Sequence, residues 1–458
     1  MDHQTTQFYR SERERFERNG ASGSPEWLKR LRSTAFHAFA EQGFPSAERE
    51  EWRFTNIAPI AKEQFAYAPK RASSLTEADA SRYRITDSEH RFTFVNGHFS
   101  NELSLNTTVK GARVFPLAGA STEELALVQE HLAKHADVKG NPFAALNTAF
   151  IADGLFVQMP AGVSLEAPIH ILHLSAGAED GSPSASYPRV IVAAGEGSSA
   201  AVIETFAGPA AAGCFTNAVT EMLLQPDAHL QYVKLQEEHE ASYHMHAVSV
   251  EQQTRSVLNM FSLALGGAIA RSEYSVILEG EKADCNLNGL YFADGSRLTD
   301  HHTFIHHKVP ECTSHELFKG ILDGHARGVY SGKVYVDAIA QKTDSKQTNR
   351  NLMLSETATI DTKPQLEIFA DDVKCTHGAA VGGLSEKEIF YLKSRGIGGT
   401  TARGIATVGF AAEATEKITH EPSRRRVDAC VVDMLQKRLG ATVQEIVHSE
   451  TTHEEDKR

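Results

Sequence analysis

The chain has 458 residues and a formal net charge of −13, from 46 basic and 59 acidic residues. This length allows two or three compact domains of roughly 100 to 200 residues each, and the negative charge excludes the global basic field that attracts nucleic acid or an anionic membrane. The cysteines are scattered and form no Cys-x-x-Cys pair, which suits a reducing cytoplasm: Cys214, Cys285, Cys312, Cys375 and Cys430.

The first 20 residues are rich in both Arg and Glu, and we predict that they form a charged, poorly ordered lead-in. They lack the apolar core of a secretory signal, and their balanced charge is atypical of a transit peptide. No apolar run in the sequence reaches the roughly 20 residues that span a bilayer. The sequence therefore predicts a cytoplasmic protein that does not enter a membrane.

Residues 1–150 are predicted to form a mixed, mainly helical region. Ser24 is placed to cap a helix that ends before Gly43. Asn96-Gly97 lies between alternating apolar residues, which is a strong signal for a two-residue β-hairpin. A capping box that begins at Ser121 predicts another helix.

Residues 151–384 are predicted to form a β core. Helical periodicity disappears here, and short β-branched runs such as 169–174 and 334–336 are separated by Gly, Asp and Pro turns. Several turns share a small or acidic residue that leads to alanine, but they recur at irregular spacing. So long a β region must protect its sheet edges from pairing with other chains, and a sandwich, a barrel or a solenoid would each do so. The residues alone do not distinguish these three architectures.

Residues 385–458 are predicted to form a C-terminal helical domain with a charged tail. A capping box that begins at Ser385 starts the first helix. Further helices are expected over residues 402–418 and from Pro422 onward. The composition of residues 450–458 predicts a disordered end.

Two Gly-rich stretches imitate nucleotide-binding loops. Residues 195–200 follow an apolar strand, as in a dinucleotide fingerprint, but no crossover helix follows them. Residues 328–333 are one residue short of a Walker A loop, and Val334 stands where Ser or Thr should bind magnesium. We therefore expect no nucleotide site, and no ATP hydrolysis by the chain alone.

Histidines crowd residues 300–307, which read DHHTFIHH. If this run is a strand, His302 and His306 share one face, and His301 and His307 share the other. They would then not converge as the ligands of a metal cage do. A stable metal site in the monomer is therefore not expected.

The most informative stretch covers residues 365–397, QLEIFADDVKCTHGAAVGGLSEKEIFYLKSRGI. Its first part alternates like a strand until Asp371 and Asp372 interrupt it. If the chain then stays extended, Cys375 and His377 project from the same face, because strand side chains repeat with period two. By residue statistics such a pair is usually structural, but thiolate and imidazole are both ligands of iron in iron–sulfur clusters.

This stretch resembles the C-terminal signature of the SufB/SufD family of iron–sulfur cluster assembly proteins. The resemblance extends upstream over residues 318–321, 328–332 and 340–352. Residues 50–56, EEWRFTN, are similar to the SufD branch rather than the SufB branch. The resemblance implies a mainly β fold, with a right-handed parallel β-helix core flanked by N-terminal and C-terminal helical segments.

The same resemblance implies a function. It implies a non-catalytic scaffold subunit of the Suf complex, which pairs with SufB and binds the ABC-type ATPase SufC through its C-terminal helices. It also implies no stable cofactor, but a transient iron–sulfur cluster shared with SufB, with Cys375 and His377 as ligands. Because a cluster normally takes four protein ligands, the others must come from another chain.

Three alternatives stay open on the sequence. The chain could be a SufB-like scaffold. A β-helix carbohydrate-active enzyme would need paired carboxylates in a groove, whereas Asp371 and Asp372 are adjacent and point to opposite faces of a strand. A histidine-rich metalloenzyme would bind stoichiometric metal as a monomer.

Overall fold

The computed structural model describes residues 3–19, 21, 23–70, 75–85, 88–178, 180–209 and 213–439. Within these residues the chain is mainly β, as predicted. No helix in the described ranges is both long and apolar enough to cross a membrane. The disorder predicted for residues 450–458 lies outside the described residues.

Helices occupy the two ends of the chain and leave the middle to strands. They are α1 (His3–Asn19), α2 (Glu26–Gln42), α3 (Ala58–Lys62), α4 (Glu77–Ser81), α5 (Thr122–His131), α6 (Pro142–Ala149), α7 (Glu386–Ser394), α8 (Gly399–Thr415) and α9 (Glu421–Leu439). The predicted capping box at the start of α5 is confirmed, with Ser121 and Glu124 bonded reciprocally. The helix predicted from residue 402 begins earlier, at Gly399.

The strands build two sheets. They are β1 (Ala66–Tyr67), β2 (His90–Val95), β3 (His98–Leu105), β4 (Arg113–Pro116), β5 (Leu155–Met159), β6 (Ile169–Leu174), β7 (Ser184–Ser186), β8 (Arg189–Ala194), β9 (Ser199–Ala207), β10 (Cys214–Leu224), β11 (His229–Gln236), β12 (Tyr243–Gln252), β13 (Val257–Ala264), β14 (Ile269–Leu278), β15 (Asp284–Ala293), β16 (Leu298–His307), β17 (Thr313–Leu322), β18 (Arg327–Val336), β19 (Asp344–Met353), β20 (Thr359–Ile368) and β21 (Lys374–Gly382).

From β8 onward the chain winds as a parallel β-helix, in which consecutive strands alternate between the two sheets. Even-numbered strands from β8 to β20 pair in order in one sheet, and odd-numbered strands from β9 to β21 pair in order in the other. Each coil therefore covers the next one through a parallel ladder. This confirms the predicted β-helix core and selects the solenoid among the three architectures.

Alternation along each strand sends one set of side chains into the lumen, the space enclosed by the two sheets, and the other set outward. The largest apolar cluster lines the lumen and includes Val250. The outward face of the odd-numbered sheet is covered by α8 and α9, where Phe261 and Leu290 share a buried cluster with Ala411 and Val431. The C-terminal helices are thus part of the protein's core.

The two ends of the β-helix differ. At the N-terminal end β3 pairs antiparallel with β2, and β4 pairs antiparallel with β5, so each sheet is closed by a reversed strand. The β2–β3 turn confirms the predicted hairpin, since Asn96 and Gly97 have φ angles of 49° and 84°. At the other end, within the described chain, β20 and β21 each have a ladder partner on one side only.

Helix α1 corrects the prediction of a poorly ordered lead-in. Its Tyr9 and Phe16 are buried. Their rings contact Phe39 of α2 and Tyr67 of β1, with ring centroids 5.5 and 4.8 Å apart. The sequence of this segment is densely charged, and its apolar face is marked only by a pair of aromatic residues two helical turns apart. The amphipathic pattern is therefore hard to recognise.

Two predicted helix caps also need correction. At α2, Pro25 occupies the N-cap position and Ser24 does not cap the helix. The Ser24 hydroxyl instead accepts a hydrogen bond from Arg32 Nη1 at 2.8 Å, because this buried guanidinium needs an acceptor. At α7, the Ser385 hydroxyl accepts from the Glu388 N–H, which is one half of the predicted capping box.

Residues 50–56 fasten the N-terminal region to the outward face of the even-numbered sheet. The Arg271 guanidinium lies over the Trp52 ring, with Cζ 3.7 Å from the ring centroid. The Thr55 hydroxyl donates to Asp300 Oδ2 at 2.5 Å, and Arg271 Nη1 donates to the same oxygen at 2.5 Å. The EEWRFTN motif therefore holds two regions of the chain together.

Candidate functional site

The candidate site lies on β21, the last strand of the β-helix. This strand pairs in parallel with β19, which sets Cys375 beside Ser345 and His377 beside Gln347. The two candidate residues are two positions apart on one extended strand, so their side chains leave the same face. The shared strand face predicted for Cys375 and His377 is therefore present in the structure.

Cys375 is half-buried at the end of the lumen. It packs against a small apolar cluster that contains Val334, Val336 and Ala370. Burial, with a smaller contribution from Asp344, raises the pKa of the Cys375 thiol above its usual value. The group is thus a protonated thiol at neutral pH, not a preformed nucleophilic thiolate, and a thiol in this state can bind a metal only by losing its proton.

His377 is exposed and continues a row of side chains that face the lumen. Register places it after Leu287, Glu316 and Gln347 on successive odd-numbered strands. Gln347 Nε2 donates to Glu316 Oε1 at 3.1 Å. The imidazole is therefore the solvent-exposed end of a polar row that begins inside the protein.

The terminal coil, which we define as residues 359–382, exposes apolar side chains around this pair. Ile368, Phe369 and Val381 are 36%, 59% and 51% exposed. An edge strand that also carries exposed apolar groups is a template for pairing with another chain. The coil has the properties of an interface.

Asp371 and Asp372 lie in the bend between β20 and β21, and both are exposed. Asp372 forms an ion pair with Lys342, and its backbone N–H donates to Gln341 Oε1 at 2.9 Å. These contacts anchor the bend to the preceding coil. Asp372 is therefore engaged in holding the turn that leads into the candidate strand.

The histidines of residues 300–307 divide between two faces, as predicted. His301 and His307 are buried and face the lumen, whereas His302 and His306 lie outside, where each contacts an aspartate. In the described part of the chain, no group of three or more His, Cys, Asp or Glu side chains is arranged to hold a metal ion. The run is thus a strand whose histidines serve separate contacts.

The two Gly-rich stretches have no loop-to-helix geometry. Residues 195–200 form the turn between β8 and β9 and the start of β9, and residues 328–333 lie inside β18. A phosphate needs several backbone N–H groups that converge at a helix N-terminus. Neither stretch provides them.

Sequence reasoning missed Glu316, a buried acid in the lumen. Its Oε1 accepts from Gln347, and its Oε2 accepts from the Tyr330 hydroxyl at 3.4 Å. Burial raises the pKa of Glu316 to about 7. The period of two along a strand could have revealed it. Glu316 is two residues before Phe318 and therefore shares its inward face.

Replacing Glu316 by Gln is expected to stabilise the protein more at pH 8 than at pH 5. The folded-state pKa of about 7 exceeds the ordinary value of 4.5, so the bound proton contributes stability below pH 4.5. That stability is lost as the pH rises through 7, and the variant, which has no charge to bury, should gain about 2 to 3 kcal/mol at pH 8 relative to pH 5.

Chemical denaturation at the two pH values measures this difference. Glu311→Gln, at an exposed acid in the turn before β17, is the matched control and should show no such gain. Equal effects of Glu316→Gln at both pH values would contradict the prediction.

Two family profiles match the chain. The "SufBD protein N-terminal region" matches residues 1–171, and the "SUF system FeS cluster assembly, SufBD core domain" matches residues 174–410. The core profile thus covers the β-helix from β8 to β21, including Cys375 and His377, and reaches into α8.

Curated relatives agree with the profiles. An iron-sulfur cluster assembly SufBD family protein of Synechocystis sp. is 32% identical over 84% of this chain and 86% of its own length. The iron-sulfur cluster assembly protein SufD of Escherichia coli is 29% identical over 90% of this chain and 93% of its own. Protein ABCI7, chloroplastic, of Arabidopsis thaliana is 28% identical over 87% and 84%. This SufD-like chain therefore belongs to the SufBD family of iron–sulfur cluster assembly proteins.

Proposed function

We propose that the chain is a scaffold subunit of a cytoplasmic Suf complex, in which it pairs with a SufB-like subunit and binds a SufC-like ABC-type ATPase. In this proposal the chain is not an enzyme, and it contributes ligands and docking surfaces to an assembly that the ATPase drives. The observation that carries the proposal is the open terminal coil with Cys375 and His377 on its edge strand.

The SufB-like subunit occupies the terminal coil. An extended segment of a partner forms main-chain hydrogen bonds with a free sheet edge, and flanking pockets or apolar groups add specificity. The exposed side chains of Ile368, Phe369 and Val381 supply that apolar contact. A partner seated there places its own side chains next to Cys375 and His377.

The cluster is cargo, held between the two subunits. Cys375 supplies a sulfur once iron displaces the thiol proton, and His377 supplies an imidazole nitrogen. The remaining two of the four usual ligands belong to the partner. The isolated chain is thus expected to hold no stable cluster.

The ATPase docks on the C-terminal helices, and α7 is the part with free apolar surface. Phe390 and Tyr391 on α7 are 73% and 56% exposed, whereas Ile389 is buried. Helices α8 and α9 instead bury their apolar faces on the odd-numbered sheet. Since α7 follows β21 directly, a movement of α7 caused by the ATPase would also move the strand that carries Cys375 and His377.

Co-purification of the tagged chain from its native cell tests the proposal. A SufB-like chain and an ABC-type ATPase should be recovered together with it. Recovery of the chain without either partner, at native expression level and low salt, would count against a scaffold role.

Replacing both Phe390 and Tyr391 by Ser is expected to lower recovery of the ATPase by about tenfold or more, because aromatic anchors dominate interface energies. Recovery of the SufB-like subunit should be unchanged. Deletion of α7 to α9 is a less specific experiment, because it would also expose the buried side chains of Phe261 and Leu290 on the β-helix.

The matched control is Leu105→Ser, at an exposed apolar residue on β3 near the opposite end of the β-helix. It should leave recovery of both partners intact. Undiminished ATPase recovery with the α7 double variant would assign docking to another surface.

A further inference from the structure

One side of the lumen is polar although it lies at the centre of the β-helix. The buried ring of Phe206 is surrounded by basic groups, with the rings of His173, His244 and His246 at centroid distances of 4.8, 4.9 and 5.1 Å. The Lys234 ammonium lies 5.6 Å from the same ring. Four basic side chains thus meet in the interior.

Two buried carboxylates balance part of this charge. Glu204 Oε1 lies 3.0 Å from His173 Nε2, and the Tyr232 hydroxyl donates to Glu204 Oε2 at 2.5 Å. Glu238 Oε2 lies 2.7 Å from His244 Nδ1. The cluster therefore contains acids and bases in hydrogen-bond contact, sealed from solvent by the coils around it.

Lys234 has fewer partners than its donors require. Its Nζ donates to Ser272 Oγ at 2.7 Å, across the lumen, and an ammonium has three donors. Burial lowers the pKa of Lys234 to about 7, an effect that the fields of Glu204 and Glu238 oppose. The imidazoles of His244, His246 and His301 face the same space.

Several atoms along this polar side make no hydrogen bond to the described protein groups. They are Nδ1 of His173, Nδ1 of His246, both ring nitrogens of His301 and Oε1 of Gln347. An unsatisfied buried polar group costs about 1 to 3 kcal/mol. Buried water that makes two to four hydrogen bonds is the usual remedy in a polar interior.

Polar side chains on adjacent coils lie at intervals that a water molecule bridges. Inward neighbours on adjacent coils, such as Ser272 and His301, are roughly 4.8 Å apart. Two hydrogen bonds through one water span about 5 to 6 Å. Glu316, bonded to Gln347, continues the row to the terminal coil.

We propose that the polar side of the lumen is hydrated and forms a proton-exchange path from the Phe206 cluster, past His301 and Glu316, to the buried Gln347, whose ladder neighbour on the terminal coil is the exposed His377. In each step a proton leaves one oxygen or nitrogen and binds the next, so only bonds to hydrogen change and no oxidant or reductant takes part. The path lets Lys234 and Glu316 change protonation while the coils stay folded.

The charge environment supports exchange near neutral pH. Lys234 and Glu316 both have a pKa of about 7, because burial disfavours the charged form of each. The groups that face Glu316 are Tyr330 and Cys285, and burial keeps the pKa of both well above neutral. A proton released by Lys234 can therefore be taken up by Glu316, and the net charge of the lumen does not change.

Hydrogen–deuterium exchange of the His301 ring proton tests the path. In protein labelled with ¹⁵N-histidine, the His301 signal is identified from its loss in His301→Gln. We expect this buried ring proton to exchange in seconds to minutes in D₂O, at least about tenfold faster than the backbone amides of β14, which exchange only on opening of the coils.

Gln347→Leu should slow the His301 exchange by about tenfold or more, since it places an apolar side chain in the row between Glu316 and the exposed His377. Lys346→Leu, on the outward face of the same strand, is the matched control and should exchange like the wild type. Equal rates in Gln347→Leu and wild type, or His301 exchange as slow as the β14 amides in wild type, would overturn the proposal.

A crystal structure of the wild-type protein gives a second readout that needs no variant. Ordered water should lie within hydrogen-bond distance of His301 and of Gln347 Oε1. A dry lumen, with the His301 ring nitrogens bonded to protein groups instead, would overturn the proposal.

Discussion

Replacing His377 by Ala should reduce maturation of an iron–sulfur enzyme by about tenfold or more in cells that lack other assembly routes, since in the proposed site it removes a cluster ligand that no neighbour supplies. Cys375→Ser should act in the same direction but less severely if imidazole is the main ligand. His377 is exposed, so its truncation removes little packing. Loss of the small Cys375 thiol should lower the free energy of unfolding by only about 1 to 2 kcal/mol.

Thr376→Ala is the matched control for this pair. It lies between the two candidates, is exposed, and points to the opposite side of β21. Each variant must first co-purify with the SufB-like subunit and the ATPase, so that a failure of assembly is separated from a failure of cluster formation. Normal maturation by the Cys375→Ser, His377→Ala double variant, with the complex intact, would mean that the pair has only a structural role.

Replacing Arg189 by Met should lower the free energy of unfolding by about 3 to 5 kcal/mol, because it leaves a buried carboxylate without its countercharge. Arg189 and Glu221 form an ion pair in which both side chains are fully buried. Arg189 Nη1 also donates to Asn147 Oδ1 at 2.9 Å, which ties α6 to the first coil.

Glu221 makes the pair sensitive to acid. Burial opposes its ionisation, but the Arg189 guanidinium and three backbone N–H donors, from Ala133, His135 and Ala136, lower the pKa of Glu221 below its usual value. This stability is present above the ordinary pKa of a glutamate and is lost as the pH falls through the folded-state value. Arg189→Met should therefore show a weaker decline in stability on acidification than the wild type.

The Arg189→Met, Glu221→Gln double variant separates charge from packing. It should be less destabilised than Arg189→Met alone, since no unpaired charge remains. Denaturation curves for the two variants and the wild type measure these differences. A loss below about 1 kcal/mol in Arg189→Met would mean that water or relaxation reaches Glu221.

The β-helix could not be derived from the residues alone, because its repeat is hidden in unequal intervals. Gly197, Asp227, Arg255 and Lys282 occupy equivalent turn positions in successive coils, with φ angles of 61°, 59°, 55° and 62°. Each donates its backbone N–H to a carbonyl in the turn of the next coil. The stack needs a backbone conformation rather than a particular side chain. Of these four residues, only Gly197 and, less strongly, Asp227 are types that a left-handed turn favours.

The candidate pair was accessible to sequence reasoning, whereas its surroundings were not. Period two alone places Cys375 and His377 on one face, and the family resemblance implies a ligand role for them. That β21 is an edge strand depends on the order of the whole sheet. Likewise, the charges near Phe206 come from four strands and one turn, and their meeting in the lumen follows only from the register of the coils.

The difference between the two ends of the β-helix also determines where the protein unfolds first. In a solenoid each coil is stabilised by contacts with the coils on either side, so stability is close to a sum over neighbouring interfaces. Reversed strands supply that contact at the N-terminal end, whereas the terminal coil has one such interface in the described chain. Local unfolding therefore begins at residues 359–382, and a subunit that adds a strand there supplies the second interface. In the proposed complex, binding of the partner would therefore also make Cys375 and His377 rigid.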